Sequence, residues 1–190
     1  MTAPTKHSSP AGVAAGQLVL ALVGGGLVGA LWGSLRPGYE ALVKDGAVVV
    51  DQAASPASVE FSSYAGFALI CAALGVVLSL AAYARSRGEV SLGMLLWVCV
   101  AAAAAAFSVH TFGVWVAGLL SDTPGEGHGQ LMEGERFHVV PPLYPGVGWF
   151  AGPFTAALTY WMLALVSIVS AGSEEEQAPA VPEENAGSAS

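Results

Sequence analysis

The chain has 190 residues, of which 54% are hydrophobic and only 11% charged, and its formal net charge is −8. A soluble globular domain carries about a quarter charged residues, so this composition, with a mean hydropathy of +0.62, excludes an ordinary water-facing surface. Six basic residues against fourteen acidic ones also exclude an electrostatic nucleic-acid binder, since phosphate backbones are held by clustered Lys and Arg.

Four uncharged runs organise the chain: residues 8–35, 61–84, 90–121 and 139–173. Each exceeds the roughly 20 residues that a helix rising ~1.5 Å per residue needs to cross a ~30 Å hydrocarbon core. The expected fold is therefore all-α and membrane-embedded: four transmembrane helices at about 13–35, 64–84, 91–119 and 149–171, forming an antiparallel bundle over residues 13–172. A β-barrel is disfavoured because the runs are continuously apolar instead of alternating over about ten residues.

Residues 1–12, MTAPTKHSSPAG, read as a disordered cytoplasmic tail with little to bury. Lys6 precedes an apolar stretch, as in a secretory signal, but the stretch is long for a signal core and GALWGSLRP offers no clean small-x-small cleavage site. Helix 1 is accordingly read as retained. Within it Gly25, Gly29 and Gly33 recur every four residues. Lipid supplies no hydrophobic gain for pairing helices, so association depends on close backbone approach, and a glycine stripe on one face permits it. The stripe is expected to pack within the chain in preference to between chains.

The first outer loop, residues 36–63, carries Asp45-Gly46 between apolar β-formers, a strong hairpin signal. Strands are expected at about 40–44 and 47–51, as a small extracytoplasmic β-hairpin cap. Helix 2 contains Cys71. The short turn ARSRGEV, with Arg85 and Arg87, concentrates positive charge between helices 2 and 3, and Lys6 lies in the N-terminal tail. Arg36, Lys44 and Arg136 are spread over two longer loops. Charge density thus places both termini and the 85–90 turn in the cytoplasm.

Helix 3 offers a second small-residue face in the alanine run containing Ala101 and Ala105. It also holds His110, the one ionisable side chain inside an expected span apart from tyrosines and cysteines. Intramembrane ionisable groups are functional candidates by default. The competing reading is a neutral histidine hydrogen-bonded to a carbonyl, to Thr111 or to a nearby serine; proton relay or metal binding is the alternative. No carboxylate accompanies it in any span, which weakens proton-coupled transport. Cys71 and Cys99 are expected at depths about 10 Å apart on oppositely running helices, beyond disulfide reach, and to behave as small apolar residues.

The second outer loop, residues 120–148, places His128, Glu133, Glu135 and His138 within eleven residues. These are possible zinc or copper ligands by type, but no H-E-x-x-H and no Cys accompanies them, and an incidental polar loop is the preferred reading, with no metal expected. Arg136 to Val140 reads as a further β-like piece, ended by Pro141-Pro142, that adds a third strand or rests on the helix ends. In helix 4, Pro153 stands in the first turn, where its missing donor does no harm, and Tyr160 lies near the midplane, suited to an interhelical hydrogen bond. Trp32, Tyr64, Trp115 and Trp149 fall near the outer ends of their helices, Tyr83 and Trp97 near the inner ones, as interfacial aromatics do. Residues 173–190, SEEEQAPAVPEENAGSAS, read as a disordered acidic cytoplasmic tail.

The blocks LWGSLRPGYEALVKDG…VEFSSYAGFALICAALGVV, YARSRGEVSLGMLLW and PPLYPGVGWFAGPFTAALTYWML resemble an uncharacterised family of small actinobacterial four-helix membrane proteins, a domain of unknown function. The likeness covers about residues 15–172 and rests on the exit from helix 1, a strand turning at Asp-Gly, a basic-Gly turn and the Trp entry to helix 4. Where such proteins often have Trp-Pro, this chain has Trp149-Phe150-Ala151-Gly152-Pro153. The resemblance implies no activity and carries over no site residues.

No P-loop, G-x-S-x-G, C-x-x-C-H or paired haem histidines occur, and the helix pairs show no convincing inverted repeat of a secondary transporter. The expectation is a non-enzymatic plasma-membrane protein without cofactor, an accessory or assembly subunit in contact with the lipid bilayer and with other membrane subunits or further copies of itself. The alternative is a small transporter or channel subunit using His110, with Cys71 and Tyr160 as further intramembrane polar candidates.

Overall fold

The computed structural model describes residues 10–86, 90–122 and 132–177. Four long helices dominate: α1 (Pro10–Ser34), α2 (Val59–Arg85), α3 (Leu92–Leu120) and α4 (Ala151–Gln177). All four are long and apolar enough to cross a membrane. Large apolar side chains such as Leu27, Leu31, Leu69, Phe107 and Val169 are exposed around them, the reverse of a soluble bundle, in which such residues would be buried.

Several helix ends differ from the sequence expectation, for local reasons. α1 starts at Pro10, three residues early, because a proline at the first helical position gives up only an amide that has no partner there. α2 starts at Val59, five residues before the expected 64, after Ser58 takes a left-handed conformation with φ 60° and breaks the preceding loop. The polar segment Glu60 to Ser63 looks like loop by composition, yet Ser63 is buried. α4 is preceded by a 3₁₀ turn at Gly146–Phe150 and continues to Gln177, past the expected end at 171 and into the acidic segment.

The pairing of the helices follows their small residues. A β-carbon placed on Gly25 would lie 2.7 Å from the Ala105 carbonyl oxygen, and one on Gly29 would lie 2.5 Å from that of Val109; one on Gly33 would collide with Gly113. Contact positions on α1 and α3 rise together with a constant offset, so these two helices run in the same direction with backbones touching. Ala101 and Ala105 are both buried in this interior. α2 meets α4 in the same sense: a side chain on Gly75 would strike Gly152, Ser79 Oγ donates to the Ala156 carbonyl at 2.7 Å, and Thr155 Oγ1 donates to the Ala72 carbonyl at 3.0 Å.

The α1–α2 and α3–α4 connections meet in a three-stranded antiparallel sheet: β1 (Tyr39–Lys44) and β2 (Ala47–Val50) come from the first and β3 (Arg136–Val139) from the second, in the order β2-β1-β3. Asp45 and Gly46 form the β1–β2 turn with φ 54° and 70°, the paired positive values of a type I′ hairpin. The cap is thus more than the expected hairpin. An isolated hairpin is marginal in water, and β3 completes this one, setting Phe137 opposite Ala41 and over Val43 to make a small core of its own.

Two apolar clusters fill the helical part. One, containing Ala21, Leu78, Ala82, Val98, Ala101 and Tyr160, lies away from the sheet. The other, containing Trp32, Phe67, Cys71, Ala106 and Val109, lies toward it and is closed by Leu143 and Trp149.

Candidate functional site

The densest meeting of polar and aromatic groups lies where the cap joins the helices. The strap between β3 and the 3₁₀ turn includes PPLYP, residues 141–145. Its prolines lack amide donors, and the carbonyls of Pro141 and Leu143 serve as acceptors for side chains from the helices and their ends. Two cationic or titratable side chains reach them.

Arg36, two residues beyond α1, is only 6% exposed. Its Nη2 donates to the Pro141 carbonyl at 2.7 Å, and its guanidinium lies 5.2 Å from the centre of the Trp32 ring, within the range of a cation–π contact. Its Nε is buried with no hydrogen-bond partner. Among the described residues no carboxylate forms an ion pair with it; the one ion pair found there joins His138 to Glu40. Burial pushes the guanidinium pKa down from its usual range, as desolvation does to any cation.

Arg36 lines a cleft of about 370 Å³ together with Glu60, Ser63 and Tyr64 of α2 and Pro141 to Tyr144 of the strap. Ser63 is 1% exposed and its Oγ also lacks a partner. One cleft thus holds two buried, unpaired donor-bearing groups.

His110 touches the same strap from beneath. Its Nε2 lies 3.4 Å from the Leu143 carbonyl oxygen, a hydrogen bond when that nitrogen carries the proton. The Phe67 ring stands edge-on 6.0 Å away and the Trp149 ring 5.1 Å away. The imidazole is therefore wedged between aromatic rings and held by a backbone carbonyl, the carbonyl-bonded arrangement that the sequence offered as one alternative.

The other sequence candidates scatter. Cys71 is buried in the Trp32–Phe67 cluster, and Cys99 directs its thiol to the Pro153 carbonyl at 3.7 Å; both are free. Tyr160 is buried, but its hydroxyl accepts from the Ser91 amide at 3.5 Å, at the start of α3. From Ser91 to His110 is about 28 Å along the helix at ~1.5 Å per residue, so Tyr160 and His110 belong to different ends of the molecule.

Nor do the loop residues converge. The Glu133 carboxylate accepts from the amides of Asp45 and Gly46 at 3.0 and 3.5 Å, clipping the hairpin turn. Glu135 accepts from the Met132 amide, and His138 Nδ1 lies 3.0 Å from Glu40 Oε1. His128 lies outside the described residues, and among those described no three His, Cys, Asp or Glu side chains are grouped to hold a metal.

Arg36 is the residue that sequence reasoning missed. It counts there as one of three scattered loop charges. The available signal was its position four residues after Trp32, which puts a cation beside an aromatic ring at a helix end. No protein-family model matches the chain, and no curated protein or solved structure is significantly similar to it.

Proposed function

We propose that this chain is a multi-pass plasma-membrane protein, an antiparallel four-helix bundle with both termini in the cytoplasm and the three-stranded cap outside. It serves as a non-enzymatic accessory or assembly subunit of a larger membrane complex. The basic turn containing Arg85 and Arg87 supports the orientation, and the kinship proposed is with the small actinobacterial family that the sequence resembles.

One observation carries the functional reading. The bonded interior polar side chains named here all fasten one element to the backbone of another: Gln17 to the Leu78 carbonyl, Ser79 to Ala156, Thr155 to Ala72, Arg36 to Pro141 and His110 to Leu143. Catalysis and proton relay need side chains poised against one another. Among the described residues the side-chain pair recorded is His138–Glu40, in the cap. An interior wired to carbonyls suits a protein whose task is to hold a shape that another subunit recognises.

Affinity purification of a tagged full chain in mild detergent, with mass spectrometry and native sizing, tests this. A stoichiometric membrane partner is expected. A partner-free homo-oligomer whose reconstituted vesicles pass a solute, with flux lost in His110→Ala, would overturn it in favour of a transporter or channel subunit.

A further inference from the structure

We propose that the cleft bounded by Arg36, Ser63 and the Pro141–Tyr144 strap binds the headgroup of an ethanolamine phospholipid, phosphate inward and ammonium at the rim. The inference rests on the membrane reading above, and its chemistry comes from three features of the cleft.

The first is an uncompensated buried cation. Arg36 is 6% exposed, with one arm on the Pro141 carbonyl and its Nε unbonded. A buried charge is ordinarily paired, because leaving water is costly. A carbonyl and a Trp face supply partial compensation, and an oxyanion completes it through a charge-assisted bond. The second is Ser63 Oγ, 1% exposed, also unbonded, in the lining of the same cleft. Two donors from different elements lining one cleft suit a phosphodiester, which presents two oxygens, better than a halide or a single carbonyl.

The third feature selects among phosphates. Glu60 lines the same cleft, exposed, three residues before Ser63 on α2, so it shares that helix face. A headgroup carrying only negative charge would be repelled there. An ethanolamine headgroup places an ammonium with three donors a short chain away from its phosphate, so one molecule answers both Arg36 and Glu60. Choline presents methyl groups to the carboxylate and loses those hydrogen bonds. The position fits the source: the cleft opens just beyond the end of α1, and Tyr144 in its wall is exposed, as an aromatic at the headgroup level is.

The test uses the delipidated full chain in mild detergent, titrated under native mass spectrometry with short-chain ethanolamine, choline and glycerol phospholipids and, separately, with inorganic phosphate. One ethanolamine lipid per chain is expected, preferred about tenfold over the other two, the scale of a charge-assisted bond gained. Arg36→Lys keeps the charge but not the planar fork and is expected to weaken that lipid about tenfold. Glu60→Gln, at an exposed position that leaves the fold intact, is expected to erase the preference over glycerol phospholipid without weakening the latter. Equal binding of all three lipids, an unchanged affinity in Arg36→Lys, or saturation by inorganic phosphate with no lipid preference would overturn the proposal. Alkaline extraction of cell membranes separates the two readings. Release of the chain into the soluble fraction would overturn the membrane reading and this inference together, whereas retention with no lipid preference would overturn this inference alone.

Discussion

The two same-direction helix pairs solve one problem in different ways. α1 meets α3 through three glycines in a row along its face, Gly25, Gly29 and Gly33, and among the described residues no side-chain hydrogen bond joins these helices. α2 meets α4 around two glycines, Gly75 against Gly152 and Gly152 against the Cys71 carbonyl, supplemented by hydroxyls of Ser79 and Thr155 on carbonyls across the gap. In an apolar solvent, dispersion contact and close backbone approach are the main sources of attraction. Where three consecutive turns of backbone touch, contact alone suffices. Where the glycine-lined stretch is shorter, interhelical hydrogen bonds add to it.

Substitutions graded by size break or sharpen this contrast. The largest effect is expected from Gly29→Leu, because even its first carbon would stand 2.5 Å from the Val109 carbonyl oxygen and 2.6 Å from its Cα. Backbone cannot yield as a flexible side chain can, so α1 must separate from α3, at about 3 kcal/mol or more. The thermal midpoint and the size-exclusion profile in detergent should both change; an unaltered midpoint would remove the seam from the account.

Gly75→Ala should follow, at about 2 kcal/mol. A methyl there meets backbone of Gly152 but also the Thr155 hydroxyl, which can rotate at the expense of its bond to Ala72. Faster exchange of α2 amides around Ala72, as α2 and α4 part, would accompany the drop. Ser79→Ala comes next: it deletes one buried hydroxyl bonded at 2.7 Å and should cost about 0.6 kcal/mol, the usual worth of such bonds between membrane helices. If Ser79→Ala proves as damaging as Gly29→Leu, hydroxyls and not backbone contact hold this protein together. The smallest effect belongs to Gly24→Ala. Nothing lies within 4 Å of a β-carbon there, so stability should stay within about 0.5 kcal/mol, although the residue adjoins Gly25. A large loss at Gly24 would mean that another molecule covers this face.

The candidate site was legible in uneven parts. His110 stood out in the sequence because an ionisable residue inside an apolar run is rare, and its carbonyl-bonded alternative could be written down without knowing which carbonyl. Leu143, its partner, is 33 residues away in a segment that sequence reading treated as an approach to helix 4. For Arg36 the sequence offered only its spacing from Trp32; the rest of its role depends on Pro141, 105 residues distant, folding over it. Ser63 was hidden for a similar reason: its neighbours Phe61 and Ser62 are exposed while it is buried, and which side of α2 is covered is a property of the packing.

What the sequence determined by itself is everything that depends on short-range pattern and solvent preference. The apolar runs dictate four long helices because a peptide group in an apolar setting must satisfy its hydrogen bonds within its own segment. Asp45-Gly46 dictates a tight turn because its backbone needs two positive φ values that these residues tolerate. The spacing of Gly25, Gly29 and Gly33 announces a contact face. Only the tertiary structure decided what meets that face, that β3 joins the hairpin, that Tyr160 and His110 lie at opposite ends, and that Arg36 and Ser63 share a cleft. Those outcomes join residues far apart in the chain, and they are selected by how whole surfaces fit, which no local pattern encodes.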